Sequence, residues 1–206
     1  MKLRRQEHGF TIIELMIATA VFSTILLLCT FSLISIGRSY YKGITSAKTQ
    51  EVARLITEEV SQAIQFGGGV VQNGTPTDGS GQDVYCIGGK RYSYIKDKQL
   101  TDGTPTPTQS KHVLVVDDEP VCGSVSSQTL SGASLEAGSR ELMGPNMRLA
   151  AFSVTNIGNL YTVTVKVVFG DDDLLDGTKK NCLSVREGSQ FCSVSELTTT
   201  VQKRVQ

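Results

Sequence analysis

The sequence has no tryptophan, few aromatics of any kind (6%), two histidines and five prolines. None of the prolines falls between residues 1 and 75, so the residue most disruptive to a helix is missing from the first third of the chain. His8 and His112 are the only imidazoles, no G-x-S-x-G, H-E-x-x-H or phosphate-loop pattern occurs, and the acidic residues show no diagnostic spacing. Catalysis therefore has no constellation to rest on, and no cofactor site is expected. No C-x-x-C pair occurs, which argues against structural zinc. Charge of one sign is also lacking: Lys+Arg and Asp+Glu both number 20, so bulk charge gives no reason to expect nucleic acid as a partner.

What is present is unevenly placed. From Phe10 to Ile36 the run FTIIELMIATAVFSTILLLCTFSLISI holds a single charge, Glu14. It exceeds the roughly 20 apolar residues that a bilayer-spanning helix needs. Ahead of it stand Lys2, Arg4 and Arg5 against Glu7, then the small residue Gly9. A secretory signal places its small-residue cleavage site after the apolar run. Here the order is reversed, so a cut after Gly9 leaves the whole hydrophobic helix on the product, with 17 basic against 19 acidic residues. The cationic leader favours the cytoplasmic side, which puts the C-terminal part outside the cytoplasm.

The segment HGFTIIELMIATAVF resembles the class III signal of type IV prepilins and type II secretion pseudopilins. In that signal a Gly precedes an aromatic or apolar residue, and a Glu follows at the fifth mature position, here Glu14. The resemblance implies cleavage between Gly9 and Phe10 by a prepilin peptidase and N-methylation of Phe10 by the same enzyme. It also implies storage in the inner membrane as a single-pass protein and extraction by an inner-membrane assembly platform. The partners it implies are membrane lipid and then other pilin subunits, gathered through the N-terminal helix. A carboxylate near the centre of a membrane helix costs about 2.5–3.5 kcal/mol, less near an interface. It is tolerable when paired, and in the family the matching Glu meets the N-terminal amine of a neighbouring subunit. The irregular middle region and the mature length look more like a minor pilin or pseudopilin than a major subunit. The alternative is a membrane-tethered binding or adhesin domain that does not polymerise.

Behind the anchor, Ile44, Ala47, Val52, Leu55, Ile56, Val60, Ala63 and Ile64 recur at helical spacing, with Lys48, Glu51, Arg54, Glu58 and Glu59 between them. The helix is expected to continue through residues 37–66 and to stop at Gly67, Gly68 and Gly69, which favour the left-handed conformation at a helix end. Residues 67–206 read as a β-rich head rich in Gly, Ser and Thr. VYCI and KRYSYI, joined by Gly88 and Gly89, suggest a tight hairpin. KDKQLTDGTPTPTQSK reads as a polar loop and HVLVV as a strand, while residues 117–145 are poorly patterned. LAAFSVT, the turn NIGN, LYTVTVKVVF and a last strand SVSELTTTVQKRV complete the chain. The fold class is α+β, with leader 1–9, membrane helix 10–36, amphipathic continuation 37–66 and head 67–206. One antiparallel sheet laid across the helix buries both apolar faces, as in the pilin fold.

Four of the five cysteines lie in the head. Three pairings are possible; Cys182 and Cys192 flank one loop, which favours that pair and leaves Cys86 with Cys122. Cys29 sits among LLLCTFS as a small apolar filler. Asp171, Asp172, Asp173 and Asp176 form a weak calcium candidate, outweighed by a solvated turn because their spacing does not fit an EF-hand loop. Lys179, Lys180, Lys203 and Arg204 make a poor DNA-binding patch, four charges without interleaved aromatics.

Overall fold

The computed structural model describes residues 9–67, 71–74, 82–118, 130, 135, 137–183 and 187–204. Two compact units are present, Met1–Tyr41 and Lys42–Gln206. Helix α1, Ile12–Phe66, contributes to both and contains no break at Gly37 or Gly43. In the first unit its side chains are exposed on all sides, as expected of a segment whose favoured surroundings are apolar.

In the second unit α1 buries Thr45, Thr49, Ala53, Ile56, Thr57, Val60 and Ile64. These recur at three and four residues and form one stripe. The stripe differs from the one expected: Ala47 and Leu55 face solvent, and three threonines take core positions. Hydrogen bonding explains the exchange. Thr49 Oγ1 donates to Thr45 O at 2.7 Å and Thr57 Oγ1 to Ala53 O at 2.7 Å, so each hydroxyl is satisfied on its own helix. Burying an isoleucine or valine contributes about 1.5–3 kcal/mol, and Ile56 and Val60 are fully buried.

The head holds two five-stranded sheets in place of the single sheet expected. The first has the order β1 (Gln72–Gly74), β2 (Gln82–Ile87), β3 (Lys90–Ile95), β6 (Leu114–Asp117), β7 (Arg140–Glu141). The second runs β10 (Ser193–Gln202), β9 (Leu160–Phe169), β8 (Met147–Ile157), β4 (Gln99–Leu100), β5 (Gln109–Ser110). The expected polar loop thus contributes two short strands, and β4 and β5 pair in parallel. The β2–β3 hairpin forms as expected, with Gly88 and Gly89 both at positive φ. The β8–β9 turn is shorter than NIGN: Ile157 pairs with Leu160, leaving Gly158 and Asn159.

One core joins α1 to both sheets, with Tyr85, Tyr92, Tyr94, Leu114 and Val116 from one and Leu149, Phe152, Val163, Val165 and Val167 from the other. Tyr85 stacks on Tyr94 at 5.8 Å, and Phe152 meets both rings edge-on at 5.4 and 5.0 Å. Such pairs favour these offset and edge-to-face geometries. Arg91 on β3 grips Asp117 on β6 across the ladder, Nη2 to Oδ2 at 2.8 Å. Outside the core, Glu59 on α1 bonds Lys90 at 2.7 Å and Arg140 at 3.2 Å. In the poorly patterned middle, Glu141 accepts the amides of Val113, Leu114 and Met143 at 3.0 Å each.

Gly67 ends the helix for a reason other than a left-handed turn: its φ is not positive, and a side chain there would collide with the backbone of Gly88 and Ala63. Gly68 and Gly69 lie outside the described residues. The β2–β3 turn is therefore packed directly on the helix end. Gly88→Ala places a Cβ 2.6 Å from Ala63 O at a positive φ, and urea unfolding should show a loss of about 1–3 kcal/mol.

Candidate assembly site at the start of the helix

The first turn of α1 is closed by Thr11 and Glu14. Thr11 stands just ahead of the helix, and Glu14 is its third residue. The Thr11 amide donates to Glu14 Oε2 at 2.9 Å, the Thr11 hydroxyl donates to the same oxygen at 2.7 Å, and the Glu14 amide donates to Thr11 Oγ1 at 3.4 Å. This is a capping box, in which each residue satisfies the other's backbone donor. The carboxylate also lies near the positive end of the helix dipole. Glu14 was anticipated from the family pattern and Thr11 was not; the spacing T-x-x-E ahead of an apolar run would have revealed it. Both Thr11 donors go to Oε2, so among the described residues Oε1 is left for an outside partner.

Phe10 precedes the cap and is 87% exposed. Gly9 is exposed, and among the described residues a Cβ built on it would meet nothing within 4 Å. A cut between Gly9 and Phe10 leaves the Thr11 amide intact, and with it the capping box. It also creates an amine near the positive end of the helix, where an anion is favoured and a cation is not.

Beyond Glu14, α1 is long and apolar enough to cross a membrane, with mean hydropathy 2.4 in its best window and none of that window buried. Hydroxyls in this stretch would be costly in hydrocarbon if unsatisfied, and five of the six bond within the helix. Each donates to a carbonyl one turn back: Thr19 to Met16, Ser23 to Thr19, Thr24 to Val21, Thr30 to Leu26 and Ser32 to Leu28. Cys29 is a free, exposed thiol on the same segment.

The remaining candidates lie in the head. Cys182 and Cys192 form a disulfide that closes the loop between them, and Thr45 Oγ1 on α1 donates to Gln190 O of that loop at 3.3 Å. Cys86 is disulfide-bonded, while Cys122, its expected partner, lies outside the described residues. Asp171, Asp172 and Asp176 are engaged by protein donors. Asp172 bonds buried Arg148 at 2.7 Å and Lys179 at 2.9 Å; burial opposes ionisation, but these two cations hold its carboxyl below the ordinary value. Asp176 collects the Thr178 hydroxyl, the Asn181 side chain and the amides of Lys180 and Asn181, which take its pKa down to about 2. Asp171 accepts from Gln99 at 3.1 Å. Among the described residues, no three His, Cys, Asp or Glu side chains gather where a metal ion could be held. The four basic residues do not form one patch. Lys179 and Lys180 follow the β9 end, whereas Lys203 and Arg204 follow β10 at the opposite end of that ladder.

Residues 4–30 match the family model for the prokaryotic N-terminal methylation motif. The chain thus carries a class III prepilin signal, and the long helix followed by β-sheets is consistent with the pilin fold. No curated protein and no solved structure matches the chain. The motif points to a structural protein of pilin-like type, made as a precursor for a prepilin peptidase, rather than to an enzyme.

Thr11→Ala should weaken the first turn by about 1 kcal/mol, read as faster amide exchange at Glu14 in detergent micelles. Replacing both Cys182 and Cys192 with alanine should cost the head about 2–4 kcal/mol, measured by thermal melting.

Proposed function

We propose that this chain is a minor pilin or pseudopilin: a prepilin peptidase cuts between Gly9 and Phe10, Phe10 is N-methylated, and α1 carries the mature subunit into a filament. The single observation that carries the reading is the methylation motif over residues 4–30, with Glu14 fixed at the first turn of an apolar helix. Glu14 Oε1 receives the Phe10 amine of a neighbouring subunit. Pairing offsets two costs at once, a carboxylate in apolar surroundings and an amine at the wrong end of a helix dipole.

Before assembly the subunit waits in the inner membrane, head outside the cytoplasm. Ile12 to Ile36 rises about 37 Å at about 1.5 Å per residue, whereas the hydrocarbon layer is about 30 Å thick. Arg38, Tyr40, Tyr41 and Lys42 follow the apolar run as interfacial anchors. With that end anchored, the surplus falls at the other end, and Glu14 lies near the cytoplasmic headgroups, where its charge costs little. The peptidase and the assembly platform then act on the same exposed end.

Mass spectrometry of the mature protein should find N-methylated Phe10; an intact Met1 would instead favour a tethered domain that does not polymerise. Glu14→Ala should be inserted and cleaved as the natural chain is, yet enter filaments severalfold less. Unchanged incorporation would sink the pairing.

A further inference from the structure

The face of the second sheet turned away from α1 carries side chains for which assembly has no use. Strand register fixes their arrangement. Thr198 lies opposite Thr164, and Thr164 opposite Ser153; one rung along, Thr200 lies opposite Thr162, and Thr162 opposite Thr155. All six are exposed or half-exposed, while the alternating Val163 and Val165 fill the core. Three adjacent strands therefore each present hydroxyl-x-hydroxyl in step. The resulting grid repeats at about 4.8 Å between strands and about 6.7 Å along them. Thr164 and Thr198 share a hydrogen bond of 3.2 Å.

The borders of the grid are as distinctive as its centre. On one side the rung Lys166–Glu196 is an ion pair of 3.2 Å, with Lys166 also bonded to Asn181. On the other side Leu160 and Ile157 are 48% and 87% exposed. The grid itself carries no charge; Lys166 and Glu196 cancel on one border, and beyond the other the chain continues into Lys203 and Arg204, with Arg204 over the Phe66 ring at the helix end.

We infer that this face binds a neutral, hydroxyl-rich polysaccharide. Charge complementarity selects the partner: nucleic acid or anionic lipid needs several cations on the binding face, whereas on these three strands the single lysine, Lys166, is committed to Glu196 and Asn181. A stable protein partner would call for a large apolar or aromatic centre, and here the centre is hydroxyl. A threonine hydroxyl both donates and accepts, as sugar hydroxyls do. Its methyl group, with Ile157 and Leu160, meets the C–H surfaces of a pyranose chain. The threonines and Ile157 are β-branched and have few rotamers to lose on binding. Each contact replaces a bond to water and is weak alone, so retention depends on many copies presented together. Only that density of copies rests on the filament reading.

The test uses the full-length chain with its disulfides intact, reconstituted into neutral phosphatidylcholine vesicles and mixed with insoluble cellulose or chitin. Display on vesicles needs the helix as an anchor and not polymerisation, so a failure here leaves the filament reading standing. Vesicles should be retained about a hundredfold better than the same chain in micelles, with no loss on adding salt. The double change Thr162→Val with Thr200→Val keeps shape and strand propensity but removes two hydroxyls, and should lower retention by at least about tenfold. Neutralising the border with Lys166→Gln and Glu196→Gln should leave retention intact. The proposal is overturned if the natural chain is not retained, if the valine variant is retained equally, or if only an anionic polymer such as alginate holds the vesicles and salt releases them.

Discussion

The head depends on one stripe of α1, from Thr45 to Ile64, finding apolar cover. A helix cannot bury one face alone and neither sheet is thick enough to do so without it, so helix and both sheets share a core. The aromatic contact among Tyr85, Tyr94 and Phe152 joins the sheets, and the Gly67–Gly88 approach sets where the helix stops. Glu59 with Lys90 and Arg140 adds polar ties outside the core, where exposed pairs contribute little. They align parts that the core already holds.

The anchor, the helix, the Gly88–Gly89 hairpin and the β8–β9 pair were legible because each has a strong local signal: a long apolar run, helical spacing, a two-glycine turn, strict alternation. The misreadings have physical causes. Thr45, Thr49 and Thr57 were missed as core because a hydropathy pattern treats threonine as polar, whereas a hydroxyl bonded to its own helix leaves a methyl facing inward. The single sheet became two because β4, β5 and β7 are two residues long and are held by partners distant in sequence. Leu55 was assigned to the core from its chemistry, yet it projects beside Arg54 and Glu58 on the outer face.

The acidic residues divide into two kinds on the same ground. Asp171, Asp172 and Asp176 have arginine, lysine, amide and hydroxyl donors around them, so their charge is spent within the fold. Among the described residues Glu14 is met by Thr11 alone, and both of its donors reach one oxygen. The sequence marked its importance through the family pattern and concealed its partner, since a threonine at a helix start attracts no notice in an apolar run.

The hydroxyls of Thr19, Ser23, Thr24, Thr30 and Ser32 have a consequence for how such a helix can change surroundings. Because each bond closes within the helix, moving the segment from lipid to a bundle of similar helices breaks no hydrogen bond at these positions and requires none to form. The exchange is between one apolar contact and another, nearly isoenergetic at these sites. The direction of transfer is then left to the few groups at the helix ends and to whatever work is done on them.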